Sequence, residues 1–193
     1  MTRIAIIQGH PDPSPDRYCR ALASAYADGA RDARHEVRIV DVAKIDFPLL
    51  RTRADFETGS PPPSIAEAQA TIAWAEHVVI IFPLWLGDVP ALLKGFLEQV
   101  LRPGFAFRYR KKGMPEKLMR GRSARLVVTM GMPGFFYEWF FRAHSVKSLE
   151  RNILGFVGFG PVRRTIMGMV ESDDRGRNVK WLARMHELGM QAR

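Results

Sequence analysis

Three short stretches set turn-forming residues beside groups able to hold a ligand: GHPDPSPDRYC at 9–19, FPLWLGDVP at 82–90 and TMGMPG at 129–134. In the first, His10, Ser14 and Arg17 precede Tyr18 and Cys19, where a helical period begins. The free N–H groups and dipole of a helix start favour an anion. Alternatively, three prolines stiffen a surface turn and Ser14 or Asp16 caps the helix. The second stretch carries Pro83, Leu84, Trp85 and Leu86. Its prolines limit chain freedom, its main-chain groups could face the edge of a flat heterocycle, and its apolar side chains would keep that edge dry. The competing reading is a loop that caps the core with Trp85 packed. The third places Thr129, Met130, Gly131 and Met132 at a strand end, where Gly131 and Gly134 let backbone approach a ligand. The Gly131 and Met132 N–H groups could take up developing negative charge there.

What is missing narrows the chemistry. No G-x-G-x-x-G and no G-K-[ST] follows the first strand, against a dinucleotide fingerprint and a P-loop. No Ser-His-Asp or Cys-His constellation supplies a nucleophile, and His35, His77 and His186 have no metal-ligand spacing. Cys19, the single cysteine, excludes a disulfide framework and a zinc cluster and fits a reducing cytoplasm. It reads as a small helix residue rather than a redox thiol. The net charge of +9 has one concentration, RYRKKGMPEKLMRGRSAR at 108–125. That stretch contains turn formers and lacks a repeated aromatic platform, so it reads as a solvated loop with some attraction for phosphate, not a nucleic-acid surface. The apolar run near the N-terminus is four residues, short of a secretory leader. No segment reaches the roughly 18 apolar residues of a membrane span. A cytoplasmic protein with no integral membrane association is expected.

Strands alternating with helices must position these loops. Residues 3–8 form a short buried strand; Tyr18, Leu22, Ala25, Tyr26, Gly29 and Ala33 then recur on one helical face. Residues 36–42 alternate as a second strand. Residues 48–64 have no periodicity and carry TGSPPPS, a long excursion, after which Ser64 and Glu67 read as the capping box of a helix to about 76. A third strand spans 78–82, and Pro90 suits the first turn of the following helix, which ends near 101–104. Residues 124–130 give a fourth strand, 135–152 an aromatic helical segment and 161–170 a fifth strand. The last helix covers 175–190 with Val179, Leu182, Met185 and Leu188 in register. The pattern predicts a single α/β domain over 1–193: three layers, a five-stranded parallel sheet and helices on both faces. Ligands of such sheets sit beyond the carboxyl ends of the strands. The three loops meet at that edge, which suggests a flat, phosphate-bearing cofactor such as a flavin.

GHP after the first strand, then FPLWLGDVPALLKGFLEQVLRPGFAFRY over 82–109, resembles the flavodoxin-like NAD(P)H:quinone oxidoreductases. In that family FPL(x)4VPAxLKG is followed by PGFAF(x)Y, and the similarity continues through VTMGMP and ERNILGFVGFGPV. The resemblance implies a homodimer, strand order 2-1-3-4-5 and a non-covalent flavin, FAD first with FMN close behind. It further implies hydride transfer from NAD(P)H to flavin N5 and on to a quinone, in ping-pong fashion. Some relatives instead serve as ancillary subunits of potassium efflux systems, which supplies a regulatory alternative. By resemblance, Pro83–Leu86 cradle the isoalloxazine with Trp85 against its face, and Thr129–Met132 replace the family's Thr-Thr-Gly-Gly. Arg17, Tyr18 and Cys19 reach flavin-binding positions after a gap, with His10 and Arg17 expected at the phosphate. Tyr137 stands at the family's active-site tyrosine, while its partner histidine aligns with Ala143, next to His144. The Tyr137 phenol would bond the flavin edge or a quinone oxygen, or else pack in a dimer interface. FFYEWFF at 135–141 is too apolar for a solvated helix, so it is either core or a dimer surface over the flavin.

Overall fold

The computed structural model describes residues 1–172 and 175–193. Five parallel strands, β1 (Arg3–Gln8), β2 (Glu36–Asp41), β3 (His77–Pro83), β6 (Ser123–Thr129) and β7 (Val162–Met167), form one sheet in the order β2-β1-β3-β6-β7. Counted among these five alone, the order is 2-1-3-4-5, as expected. Strand residues alternate between two cores. Ile4, Ile6, Val79, Ile81 and Val127 meet Leu22, Tyr26 and Met185 of α1 (Tyr18–Asp32) and α8 (Arg175–Met190). Ala5, Ile7, Val78, Ile80 and Phe82 meet Ile65, Ile72, Leu93 and Phe96 of α3 (Pro63–Trp74) and α4 (Ala91–Val100). The HVVIIFP sequence of β3 is buried throughout because it lies mid-sheet, covered on both faces. Helices α1 and α8 touch at glycines: a Cβ on Gly29 would lie 2.0 Å from His186 O, and one on Gly189 2.1 Å from Tyr26 O.

Several sequence expectations shift. The 48–64 excursion contains α2 (Arg53–Glu57), opened by a true capping box of Thr52 and Asp55. It is pinned by Arg102 donating to Gly59 O at 2.6 Å and Gln99 to Pro48 O at 2.5 Å. Ser64 forms no capping box; its hydroxyl donates to Asp46 O at 2.8 Å, and Pro62 precedes the helix. The basic 108–125 stretch starts as a short hairpin, β4 (Phe107–Arg108) with β5 (Glu116–Lys117). The single helix expected over 135–152 is broken into α5 (Gly134–Trp139) and α6 (His144–Ser148). A π-helical turn (Leu149–Leu154) and the one-turn α7 (Gly155–Val157) follow. Val179, expected on the buried face of α8, is exposed, whereas Met185 and Leu188 are buried.

Candidate functional site

The three loops do lie together at the carboxyl ends of β1, β3 and β6. Beyond β3, Leu84 N–H donates to Thr129 O at 2.7 Å, extending the ladder by one residue. Trp85 and Asp88 then exchange two main-chain bonds of 2.9 Å around Leu86 (φ 48°) and Gly87 (φ 80°). Two successive left-handed residues closing a two-residue loop make a type I′ turn, stiffer than its flanking prolines alone would provide. Leu86 stands fully in solvent at its tip, and Trp85 is 50% exposed. The reading of Trp85 as packed core is therefore excluded. Its ring instead meets His10 edge-to-face at 5.8 Å, joining the second loop to the first.

Asp12, overlooked in the sequence, organises the first loop. Its carboxylate accepts from Ser14 N–H at 2.8 Å and from Arg17 Nε at 2.6 Å. The Ser14 N–H bond, ahead of Arg17, holds the Asp12 carboxyl below the usual range. His10 Nδ1 accepts from Asp12 N–H at 3.0 Å. Burial lowers the His10 pKa, and with Nδ1 accepting, Nε2 is the ring nitrogen that carries a proton and can donate. Neither Ser14 nor Asp16 caps α1; no side chain does. Two expected ligand residues turn elsewhere. Tyr18 donates to Asn178 O at 3.3 Å, and Cys19 Sγ lies 3.3 Å from Thr129 Oγ1, with burial pushing the thiol up to about 11. Cys19 and Thr129 thus bond each other inside the core, leaving only their main chain for a ligand. Beneath this loop Gln8, 2% exposed, has neither amide atom partnered.

The third loop is laced to the end of β7 and the segment after it: Met130 N–H donates to Met167 O at 2.9 Å and Met169 N–H to Met132 O at 3.1 Å. The Met130 side chain is buried. Gly134 does not face a ligand; its amide lies where a Cβ on Gly168 would sit, 2.2 Å away, so this pair packs α5 against β7. Tyr137 is buried, its hydroxyl 2.7 Å from Ser145 Oγ. Between them Arg142 (φ 52°) and Ala143 (φ 49°) adopt left-handed backbone, which turns the chain and breaks the helix. Ala143, the aligned histidine position, is buried, while His144 is exposed and lines a cavity of about 620 Å³ with Leu86, Gly87, Met132, Tyr137 and Phe141. A helical register would turn His144 aside; the broken corner brings it in.

Leu86, Met132, Tyr137 and His144 therefore converge; His10 and Trp85 adjoin each other; Ser14 and Arg17 stay on Asp12. Of the residues the sequence reading missed, Asp12 had a signal, an Asx residue two places before its N–H donor. Ser145 had none, since its pairing depends on the broken helix.

Comparison with known proteins agrees with this fold. A family model described as a flavodoxin-like fold matches residues 2–188. An FMN-dependent NADH:quinone oxidoreductase of Bordetella avium is 32% identical over 74% of this chain and 77% of its own. One from Bacillus cereus, of the same name, is 24% identical over 93% of each. The solved NAD(P)H:quinone oxidoreductase of Methanothermobacter marburgensis superposes with TM-score 0.81 at 25% identity, covering 100% of this chain and 99% of the other.

Proposed function

The chain belongs to the flavodoxin-like-fold family, and from that premise we propose that it is an FMN-dependent NAD(P)H:quinone oxidoreductase. One observation carries the reading: loops from the strand ends build a cavity of about 620 Å³ that Leu86, Met132, Tyr137 and His144 line together. The residues fit a flavin phosphate and ring. Helix α1 starts uncapped, Gln8 buries an unpartnered amide below it, and a Cβ on Gly87 would meet nothing within 4 Å. FMN replaces FAD as the proposed form, because relatives are named for FMN and one uncapped helix start suits one phosphate.

Bound flavin would supply the hydride chemistry that no side chain here can perform. The chain's own residues do the rest. His10 donates from Nε2, and the Gly131 and Met132 N–H groups stabilise negative charge. Phe140 and Phe141 keep water from the cavity. Tyr137 holds a single proton; when it donates to an acceptor's oxygen, Ser145 must donate to Tyr137 in turn. Arg17 contributes less than the sequence suggested, since Asp12 already engages it. A second copy of the chain covers the exposed Phe135, Trp139 and Phe140. Among the described residues no helix is long and apolar enough to cross a membrane, and the lone buried thiol suits a reducing cytoplasm.

The test is the chromophore. Protein purified and then denatured should release FMN, identified by chromatography, and the apoprotein should rebind it. Release of no flavin, together with no quenching of added FMN fluorescence, defeats the reading.

A further inference from the structure

The aromatic-walled cavity shares Leu86, Gly87 and His144 with a polar groove of about 710 Å³, so the two adjoin. Arg142, Lys147 and Arg151 line that groove against one carboxylate, Asp88. Asp88 Oδ1 already accepts from Val89 N–H at 2.7 Å. The three cations have no ion pair among the described residues. A strained corner brings Arg142 there: it and Ala143 have φ of 52° and 49°, a conformation costing a non-glycine residue about 1 kcal/mol or more. Lys147 and Arg151, four residues apart along the helical run that follows, share a face.

Lys147 and Arg151 also line a further groove of about 660 Å³, with Arg125, Arg163, Arg164 and Arg184 against Glu150. Of these, Arg184 pairs with Glu187 at 2.8 Å and Arg125 donates to Thr165 Oγ1 at 2.6 Å. Positive charge thus runs outward from the mouth of the substrate cavity, in excess of the carboxylates around it.

A nicotinamide seated in the cavity must lead the rest of its dinucleotide out through an opening. NADH and NADPH share a pyrophosphate; NADPH adds a 2′-phosphate, about two further negative charges at neutral pH. One pyrophosphate does not use the cations at the junction of the two grooves. Arginine's planar fork takes phosphate oxygens in pairs, and lysine adds a point charge. Resting on the oxidoreductase reading, we propose that this chain takes NADPH in preference to NADH, with Lys147 and Arg151 receiving the 2′-phosphate and Arg142 the pyrophosphate.

Rates with a fixed quinone would be compared for NADPH, NADH and reduced nicotinamide riboside, which lacks the charged tail. Wild type should favour NADPH over NADH in kcat/KM by about tenfold or more, the scale of one charge-assisted phosphate contact, and added salt should narrow the margin. Lys147→Gln/Arg151→Gln should erase the margin through KM, leaving kcat and the riboside rate unchanged. Calorimetry adds a readout free of turnover: adenosine 2′,5′-bisphosphate should bind wild type about tenfold tighter than adenosine 5′-monophosphate, and the double variant should not distinguish them. Equal kcat/KM for NADPH and NADH in wild type overturns the assignment. So does a double variant that keeps the margin, or one that slows the riboside equally. Oxidation of none of the three reductants overturns the oxidoreductase reading itself.

Discussion

The hydroxyl pair Tyr137–Ser145, 2.7 Å apart and buried, lies where the cavity wall meets the core. Tyr137→Phe keeps the ring and removes the donor. It should cost about 1 kcal/mol of stability in urea titration. It should also slow reduction of bound flavin by roughly three- to a hundredfold, equivalent to about 0.7–2.7 kcal/mol. Ser145→Ala removes only the group that orients the phenol, so its effect on the rate should be smaller; a larger one would reverse the two roles. His77 offers a different test at the opposite end of the sheet. It is 1% exposed, with Nε2 unpartnered and Nδ1 2.7 Å from Ser123 Oγ. Burial, then the charges of Arg125 and Arg163, depress its pKa from 6.5 to about 4. The folded ring therefore stays neutral while the unfolded one protonates below pH 6.5, so stability falls as pH drops from 6.5 towards 4. Between pH 7 and pH 5 the loss should be about 2 kcal/mol. His77→Leu should remove that share of the pH dependence; an unchanged slope would place the titration elsewhere.

Local chemistry decides how much of each element can be read in advance. The turn Trp85–Asp88 is type I′, yet its first central residue is Leu86, at φ 48°, where Asn or Gly is usual. Leu86→Asn should therefore raise stability by roughly 0.5–1 kcal/mol in thermal or urea unfolding. A loss instead would mean that the leucine makes contacts offsetting its backbone strain. The apolar run of β3 was legible because a mid-sheet parallel strand is buried on both faces. The meeting of the three loops at one sheet edge was legible from the strand order, whereas the Glu171 carboxylate 3.3 Å from where a Cβ on Gly131 would lie was not. The break at 142–143 was not, because Arg142 and Ala143 are ordinary residues held left-handed by tertiary packing, with no glycine or proline to mark them. That break moved His144 into the cavity and paired Tyr137 with Ser145, so the least legible element carries much of the site. Tyr18 and Cys19 went astray for a related reason: position along α1 was clear, but α8 and Thr129 claimed their side chains.

Across the whole molecule, apolar and charged surfaces separate around the cavity. On one side Phe135, Trp139 and Phe140 are 76%, 80% and 60% exposed, more aromatic surface than a lone soluble chain usually leaves in water. On the other, Arg142, Lys147 and Arg151, which have no ion pair among the described residues, lead towards Arg163 and Arg164 of the edge strand β7. Sedimentation at micromolar concentration should give twice 21.9 kDa; a fully active monomer would leave the aromatic face without its proposed cover. The most direct measurement is anaerobic stopped-flow absorbance of the flavin-loaded protein. The flavin band should bleach on mixing with NADPH and return when a quinone is added. A band that stays oxidised with both NADPH and NADH, in protein shown to hold FMN, would contradict the assignment of this site to hydride transfer.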